Sequence, residues 1–284
     1  MIDLITLILS FATLIWSASH LVKGASGIAA YYRISPLLVG FTLVALGTSA
    51  PEIVIAINAS LANLSDIAIG NAVGTNIANI GLVLGITALI KPLRIQPTLL
   101  SREYPLLFLV MLFSYSLMLD GYIGVLDSCL FLIACLGFIT YLMANVQHSF
   151  LSYQVTLKFQ QNSLRKQSHR LHIACLIIGF IGLPCSAYFL VNAATGLAHI
   201  LGISDLIIAL TIVAMGSSLP ELATSIIAVK KGADDIAIGN ILGTNIFNLL
   251  AVMIVPGAIH PAVISHAILW RDVPFMFAAT LILL

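Results

Sequence analysis

Charge is what this sequence most lacks. Its 284 residues include 12 Lys and Arg and 11 Asp and Glu, 8% of the chain, beside 60% apolar residues. A soluble domain carries about 25% charged residues. So few charges cannot cover a water-facing surface, which excludes a soluble globular protein. A formal net charge of +1 leaves no electrostatic footprint for nucleic acid, and the apolar content excludes a disordered chain. Cysteine is also scarce. Cys129, Cys135, Cys175 and Cys185 lie in apolar runs without C-x-x-C spacing, so they read as small hydrophobes and not as metal ligands. What remains is an all-α integral membrane protein with the lipid bilayer as its solvent.

A bilayer core of ~30 Å needs about 20 apolar residues per helix. The long unbroken runs here do not alternate as barrel strands do. Helical spans are expected near 2–22, 37–59, 67–90, 104–119, 122–145, 171–196, 205–229 and 236–258; a ninth apolar run, Val273 to Leu284, is too short to cross. The first run has no preceding Lys or Arg and is long for a signal peptide, so it counts as a span. Eleven of the twelve bases fall in loops on one side, among them Lys23, Arg33, Lys91, Arg102, Lys158, Lys230 and Lys231; Arg271 alone lies opposite. The positive-inside rule then puts the N-terminus outside and the polar 146–170 loop in the cytoplasm, in the inner membrane if the source is bacterial. That loop reads as a linker between 1–145 and 171–284.

The chain repeats itself at a shift of 169 residues. Thr42-Leu43-Val44-Ala45-Leu46-Gly47-Thr48-Ser49-Ala50-Pro51-Glu52 answers Thr211-Ile212-Val213-Ala214-Met215-Gly216-Ser217-Ser218-Leu219-Pro220-Glu221, and Gly70-Asn71 through Asn79 answers Gly239-Asn240 through Asn248. Between residues 40 and 82, 20 of 43 aligned positions are identical without a gap. Each unit holds five helices. An odd number inverts the second copy, as in many transporters; Arg271, the image of Arg102, then falls on the opposite side as observed. Leu284 answers Tyr115, so an intact second copy would finish the ninth span and add a tenth. The repeat therefore predicts a chain incomplete at its C-terminus, by roughly 30 residues.

Two acids, Glu52 and Glu221, lie deep in the expected bilayer at equivalent positions. An ionised group there costs at least ~2.5–3.5 kcal/mol, and no base lies near either in sequence. A cation would neutralise them; a pair of protonated, packed carboxyls is the bland alternative. Oxygens surround both. Thr48 and Ser49 share a helix face with Glu52, as Ser217 and Ser218 do with Glu221. Thr75 and Asn79 are four apart, like Thr244 and Asn248, and Asn71 and Asn240 extend those faces. Pro51 and Pro220 have no N–H, so carbonyls near Gly47 and Gly216 lose their helical partner, which is tolerated at depth where they line a polar cavity. This donor set suits hard cations such as Ca²⁺ or Na⁺; the absence of His and Cys argues against zinc or copper. Gly70 and Gly74, like Gly239 and Gly243, read as close-packing G-x-x-x-G pairs. Asp66 and Asp235 read as helix N-caps, and Lys230, Lys231 and Asp234 as solvated loop charges.

These motifs resemble the α-repeats of the sodium/calcium exchanger (cation/Ca²⁺ exchanger) superfamily, in its bacterial calcium/sodium antiporter branch. The resemblance covers both repeats and nearly the whole chain. It implies ten helices in two inverted repeats, secondary active exchange of Na⁺ for Ca²⁺ by alternating access, and sliding of helices 1 and 6 across the rest. It implies Glu52 and Glu221 as shared ligands, with Thr48, Ser49, Ser217, Ser218, Thr75, Asn79, Thr244 and Asn248 and the carbonyls of Ala45 and Ala214. Asn248 stands where potassium-dependent members have Asp, which argues against potassium coupling. No cofactor and no enzyme activity is expected. Gradient energetics favours electrogenic exchange. A proton-coupled cation antiporter using the same Glu pair is the alternative; a passive channel and an intramembrane hydrolase rank below it, the last because no His or Lys base sits beside a core Ser.

Overall fold

The computed structural model describes residues 2–93, 102–145, 168–202 and 214–282. The first copy opens with α1 (Ile2–Tyr32). Its second span is broken into α2 (Pro36–Val39), a π turn at Gly40–Val44, α3 (Ala45–Thr48) and α4 (Ala50–Leu61). Its third is α5 (Ser65–Ala78), a π turn at Asn79–Leu84 and α6 (Gly85–Ile90). Then come α7 (Tyr104–Met118) and α8 (Val125–Asn145). The second copy runs through α9 (His169–Ile200), α10 (Ala214–Ser217), α11 (Leu219–Lys230), α12 (Asp234–Phe247), a π turn at Asn248–Val252 and α13 (Ile254–Ile259). A further π turn at Ile268–Asp272 leads into α14 (Val273–Leu281). Two short strands, β1 (Tyr122–Ile123) and β2 (Ala262–Val263), pair antiparallel and tie the loop before α8 to the loop after α13.

Among the described residues five helices are long and apolar enough to cross a membrane, and the pair Pro36–Thr48 and Ala50–Leu61, bent by 40°, makes a sixth span. The expected start of the seventh span and most of the 146–170 linker lie outside the described residues. The chain is thus a multi-pass helical membrane protein.

The duplication is written into the backbone. α4 and α11, α5 and α12, α6 and α13 begin and end at positions 169 apart. So do the left-handed residues: Arg33 (φ 58) answers Gly202 (φ 75), and Asn63 (φ 61) answers Gly232 (φ 73). At Asn63 and Gly232 the chain reverses between the broken span and the next, and only the second copy uses the residue that adopts positive φ without cost.

Several boundaries differ from the sequence expectation. α1 continues past Val22 to Tyr32 and carries Lys23 within it. Gly24 and Gly27, which look like breakers, are contact points: a Cβ at Gly24 would stand 2.5 Å from the Leu176 backbone nitrogen, and one at Gly27 would collide with the His172 ring. α1 and α9 thereby press backbone to backbone. The fifth span starts at Val125, after a turn at Gly121 (φ 77) and the β1 strand. Asp66 is not an N-cap. It lies in the first turn of α5, and its Oδ1 accepts the Ser265 N–H at 3.0 Å. Asp235 likewise lies in the first turn of α12, whose N-cap is Ala233. Asp234 and Lys231 are not merely solvated. Lys91 Nζ donates to Asp234 at 3.2 Å and to the Val229 carbonyl at 3.1 Å, and Lys231 Nζ donates to Ser19 O and Oγ at 2.8 and 2.7 Å. The four cysteines are free thiols, as expected.

Packing divides in two. A larger apolar cluster joins the second to fifth spans with their counterparts through Phe41, Ile69, Leu107, Phe131 and Ile246. A second, smaller cluster is where α1 and α9 lean on this body, through Leu21, Leu183, Ala228 and Ile236. The seam between the copies is made by α12 against the π turn of the broken span. A Cβ at Gly243 would stand 2.5 Å from the Phe41 carbonyl oxygen, and one at Gly239 would run into that of Leu37. Gly243→Ala is therefore expected to destabilise the protein by about 1–3 kcal/mol through overpacking. Gly85→Ala, a helical position with nothing within 4 Å of the added carbon, should be neutral or stabilising by about 0.5–1 kcal/mol. Thermal unfolding in detergent compares the two; equal midpoints would refute the seam.

Candidate cation site between the two repeats

The site grows out of the two helix breaks. Pro51 and Pro220 sit in the first turns of α4 and α11. Each denies an N–H to the carbonyl four residues back, so the preceding helix cannot run through. The chain turns at Ser49 (φ −76, ψ 0) and Ser218 (φ −85, ψ 1). Each break puts its Glu in the first turn of the new helix, where the helix N-terminus favours a carboxylate. Gly47 and Gly216 bring both breaks up to α9. A Cβ at Gly47 would stand 2.9 Å from the Phe180 ring, and one at Gly216 would meet Val191.

Glu52 and Glu221 are both 0% exposed, and they are close enough to interact electrostatically. No hydrogen-bond donor reaches any of their four carboxylate oxygens. The same holds for Ser49 Oγ and Ser218 Oγ, and for the amide oxygens of Asn79 and Asn248. These six residues are three pairs related by the 169-residue shift. Buried oxygens in native proteins are ordinarily hydrogen-bonded; eight orphans in matched pairs mark a place built for a positively charged partner.

A framework of polar contacts holds this set. Thr48 Oγ lies 3.2 Å from the Ala45 carbonyl, 3.1 Å from Asn240 Oδ1 and 3.2 Å from Thr244 Oγ. It also adjoins the Glu221 carboxyl. Asn240 reaches Ser225 Oγ at 3.5 Å. Asn79 and Asn248 each open a π turn, a local overwinding frequent at functional sites. α4 packs on the turn that begins at Asn248, and α11 on the turn that begins at Asn79. Asn79 Nδ2 donates to Asn245 Oδ1 at 2.9 Å, and Asn248 Nδ2 to Asn76 Oδ1 at 3.1 Å. A contact of i with j matched by one of j's image with i's image is what a two-fold relation produces.

The structure therefore brings Glu52, Glu221, Thr48, Asn79, Thr244 and Asn248 into one linked cluster. Ser49 and Ser218 stand at its breaks, and Thr75 and Ser217 are buried. The Ala45 carbonyl already accepts from the Ser49 N–H at 2.9 Å and from Thr48. Ala214 is described only as the start of α10. Of the two G-x-x-x-G pairs, Gly239 and Gly243 show the expected close packing. Near a Cβ at Gly70 the closest atom is Ile268 Cδ1 at 3.5 Å, and among the described residues nothing lies within 4 Å of one at Gly74. The positions that would answer the Leu37–Phe41 contact fall outside the described residues. Asn76 and Asn245 were visible in the repeat without a role; their spacing of three from Asn79 and Asn248 was the available signal.

A helical membrane protein with a buried two-carboxylate oxygen cluster at the seam of a duplication falls in the class of cation transporters with internal repeats. The sequence profile of the sodium/calcium exchanger protein family matches residues 2–144 and 171–284. The chain belongs to that family. It is 42% identical to the putative antiporter CaxA of Alkalimonas amylolytica, over 99% of this chain and 88% of that protein. It is 30% identical to the sodium/calcium exchanger MaX1 of Methanosarcina acetivorans, over 100% of this chain and 90% of the relative. Among solved structures, the sodium-calcium exchanger NCX_Mj soaked with Na⁺ and Sr²⁺ superposes with a TM-score of 0.84 at 30% identity, covering 99% of this chain and 90% of that one.

A ligand that binds only the folded state stabilises it by about 2.7 kcal/mol at a hundred times its Kd. Ca²⁺ is expected to raise the unfolding temperature of the purified protein by this mechanism, while Glu52→Gln and Glu221→Gln abolish most of the rise. An equal rise in all three proteins would place Ca²⁺ binding elsewhere.

Proposed function

We propose that this chain is a secondary active antiporter exchanging Na⁺ for Ca²⁺ at the site between its two repeats. The observation that carries the reading is the set of eight buried oxygens, on Glu52, Glu221, Ser49, Ser218, Asn79 and Asn248, that no donor reaches. Two carboxylates neutralise one Ca²⁺, and Ca²⁺ takes 6–8 oxygens from just such carboxylates, amides and hydroxyls. A pair of protonated carboxyls would leave the serine and asparagine oxygens unaccounted for. Na⁺ competes for the same carboxylates and draws on Thr48, Thr75, Ser217 and Thr244 and the carbonyls of Ala45 and Ala214. Because the two ions share ligands, occupancy by one excludes the other, and competition becomes exchange.

Access alternates by movement of the α1–α9 pair. Its two helices are locked to each other at Gly24 and Gly27 and meet the body through the smaller apolar cluster, across both helix breaks. The repeats are inverted, with five spans in each, so opposite displacements of one pair expose the site to opposite sides. The N-terminus is outside and the 146–170 loop cytoplasmic, by the distribution of Lys and Arg.

The gradients favour a net charge movement. At 100 mV, Ca²⁺ extrusion costs ~4.6 kcal/mol electrically, and a 10⁴-fold gradient adds about 5.5 kcal/mol. One Na⁺ entering down a tenfold gradient and the same potential supplies ~3.7 kcal/mol. Two ions give roughly 7.4 and three about 11, so three-for-one exchange suffices and two-for-one falls short. In proteoliposomes loaded with Na⁺, dilution into Na⁺-free medium should drive Ca²⁺ uptake and a current, and Glu52→Gln should lose both. Uptake that follows a pH gradient and ignores Na⁺ would replace this reading with proton coupling; uptake without current would replace electrogenic exchange with an electroneutral one.

A further inference from the structure

We propose that Asn76 and Asn245 are positioning residues that set the orientation of the cation-binding amides in a crossed pattern, each copy's Asn holding the other copy's ligand. The proposal rests on the reading of Asn79 and Asn248 as ligands. It goes beyond that reading by naming what makes them ligands.

An asparagine amide carries an oxygen and an NH₂ of nearly equal size, interchanged by a half-turn of the terminal torsion. Only the oxygen attracts a cation; the flipped amide presents two N–H dipoles that repel it. Nothing in the helix carrying Asn79 or Asn248 decides between the two poses. The neighbour across the seam does. Asn245 Oδ1 can only accept, so Asn79 must turn its NH₂ toward it, at 2.9 Å. Asn76 Oδ1 imposes the same on Asn248, at 3.1 Å. Oxygen and nitrogen lie on opposite sides of the amide carbon, so each NH₂ that is tied sends its oxygen the other way. Those oxygens are the buried acceptors without a donor. Asn76 is fixed in turn, its Nδ2 donating to the Asn245 carbonyl at 3.0 Å. All four asparagines are buried, at 0 or 1% exposure, so water does not compete for these bonds.

The crossing makes a pattern that no general loosening of the core would reproduce. Asn245 acts through Asn79, and Asn76 through Asn248, although each is closer in sequence to the other ligand. The test is a set of double-mutant cycles on the full chain, read as the equilibrium Kd for radioactive Ca²⁺ on purified protein. Asn245→Leu and Asn76→Leu should each raise Kd about tenfold or more, in the range found for residues that orient metal ligands. Asn245→Leu should add nothing on top of Asn79→Leu and its full factor on top of Asn248→Leu; Asn76→Leu should show the mirror image. Asn245→Asp and Asn76→Asp keep the acceptor and should bind Ca²⁺ as tightly as the unmodified protein or more so, which covers the event that a Leu variant fails to fold.

Additive factors along the crossed pairs, coupling that follows the sequence neighbours, or Asp variants as weak as the Leu variants would each overturn the proposal while leaving the site itself intact. Unmodified protein that binds no Ca²⁺, or Asn79→Leu and Asn248→Leu that bind it normally, would instead overturn the ligand assignment, and this inference with it.

Discussion

Two carboxylates in a medium without water set the terms for everything around them. A charge taken out of water carries a penalty of several kcal/mol unless something opposes it. Here the protein supplies no opposing base, and no donor reaches either Glu52 or Glu221. The fold does not resolve this conflict internally; it assembles further oxygens around it. Such an arrangement is unstable as a piece of core packing and sensible as a receptacle for a small hard cation, whose own dehydration must be offset by the oxygens it meets.

The irregular features of the backbone follow from that requirement. Oxygens at bilayer depth have to come from side chains and from carbonyls released by broken helices. Hence a proline on each side of the seam, a break at Ser49 and at Ser218, and a π turn beginning at each ligand asparagine. The regular features follow as well. Glycines at 239 and 243 let α12 come up against the broken span, close enough for Thr48 to meet Asn240 and Thr244. Because both copies carry the same devices, the site is shared between them, and neither copy holds a complete one.

Much of this was legible in the sequence. The absence of charge gave the membrane, the 169-residue shift gave the architecture, and the pairing of Glu52 with Glu221 gave the site before any coordinates. What escaped depended on contacts between distant segments. Gly24 and Gly27 read as the end of a helix because propensity knows nothing of the α9 backbone that needs them small. Asp66 reads as a cap from its own neighbours, yet it serves Ser265 in the other copy. His172, near the start of its helix, looks like an end residue and is buried at 1% against Gly27. Asn76 and Asn245 stood in the repeat, but an amide's part depends on which atom of which partner faces it, and linear spacing does not carry that.

Lys231 reaches from the loop between α11 and α12 to the carbonyl and hydroxyl of Ser19 on α1. In a duplicated chain each such bond has a place reserved for its twin, here at positions 62 and 188. Those positions hold Ala62 and Tyr188, and an alanine has no side-chain donor to offer. The two halves are therefore alike in shape and unlike in how firmly they grip the helix pair that runs between them. Any movement that exchanges their roles begins and ends at different energies, and gene duplication followed by drift at a single surface pair is enough to give a symmetric machine a resting side.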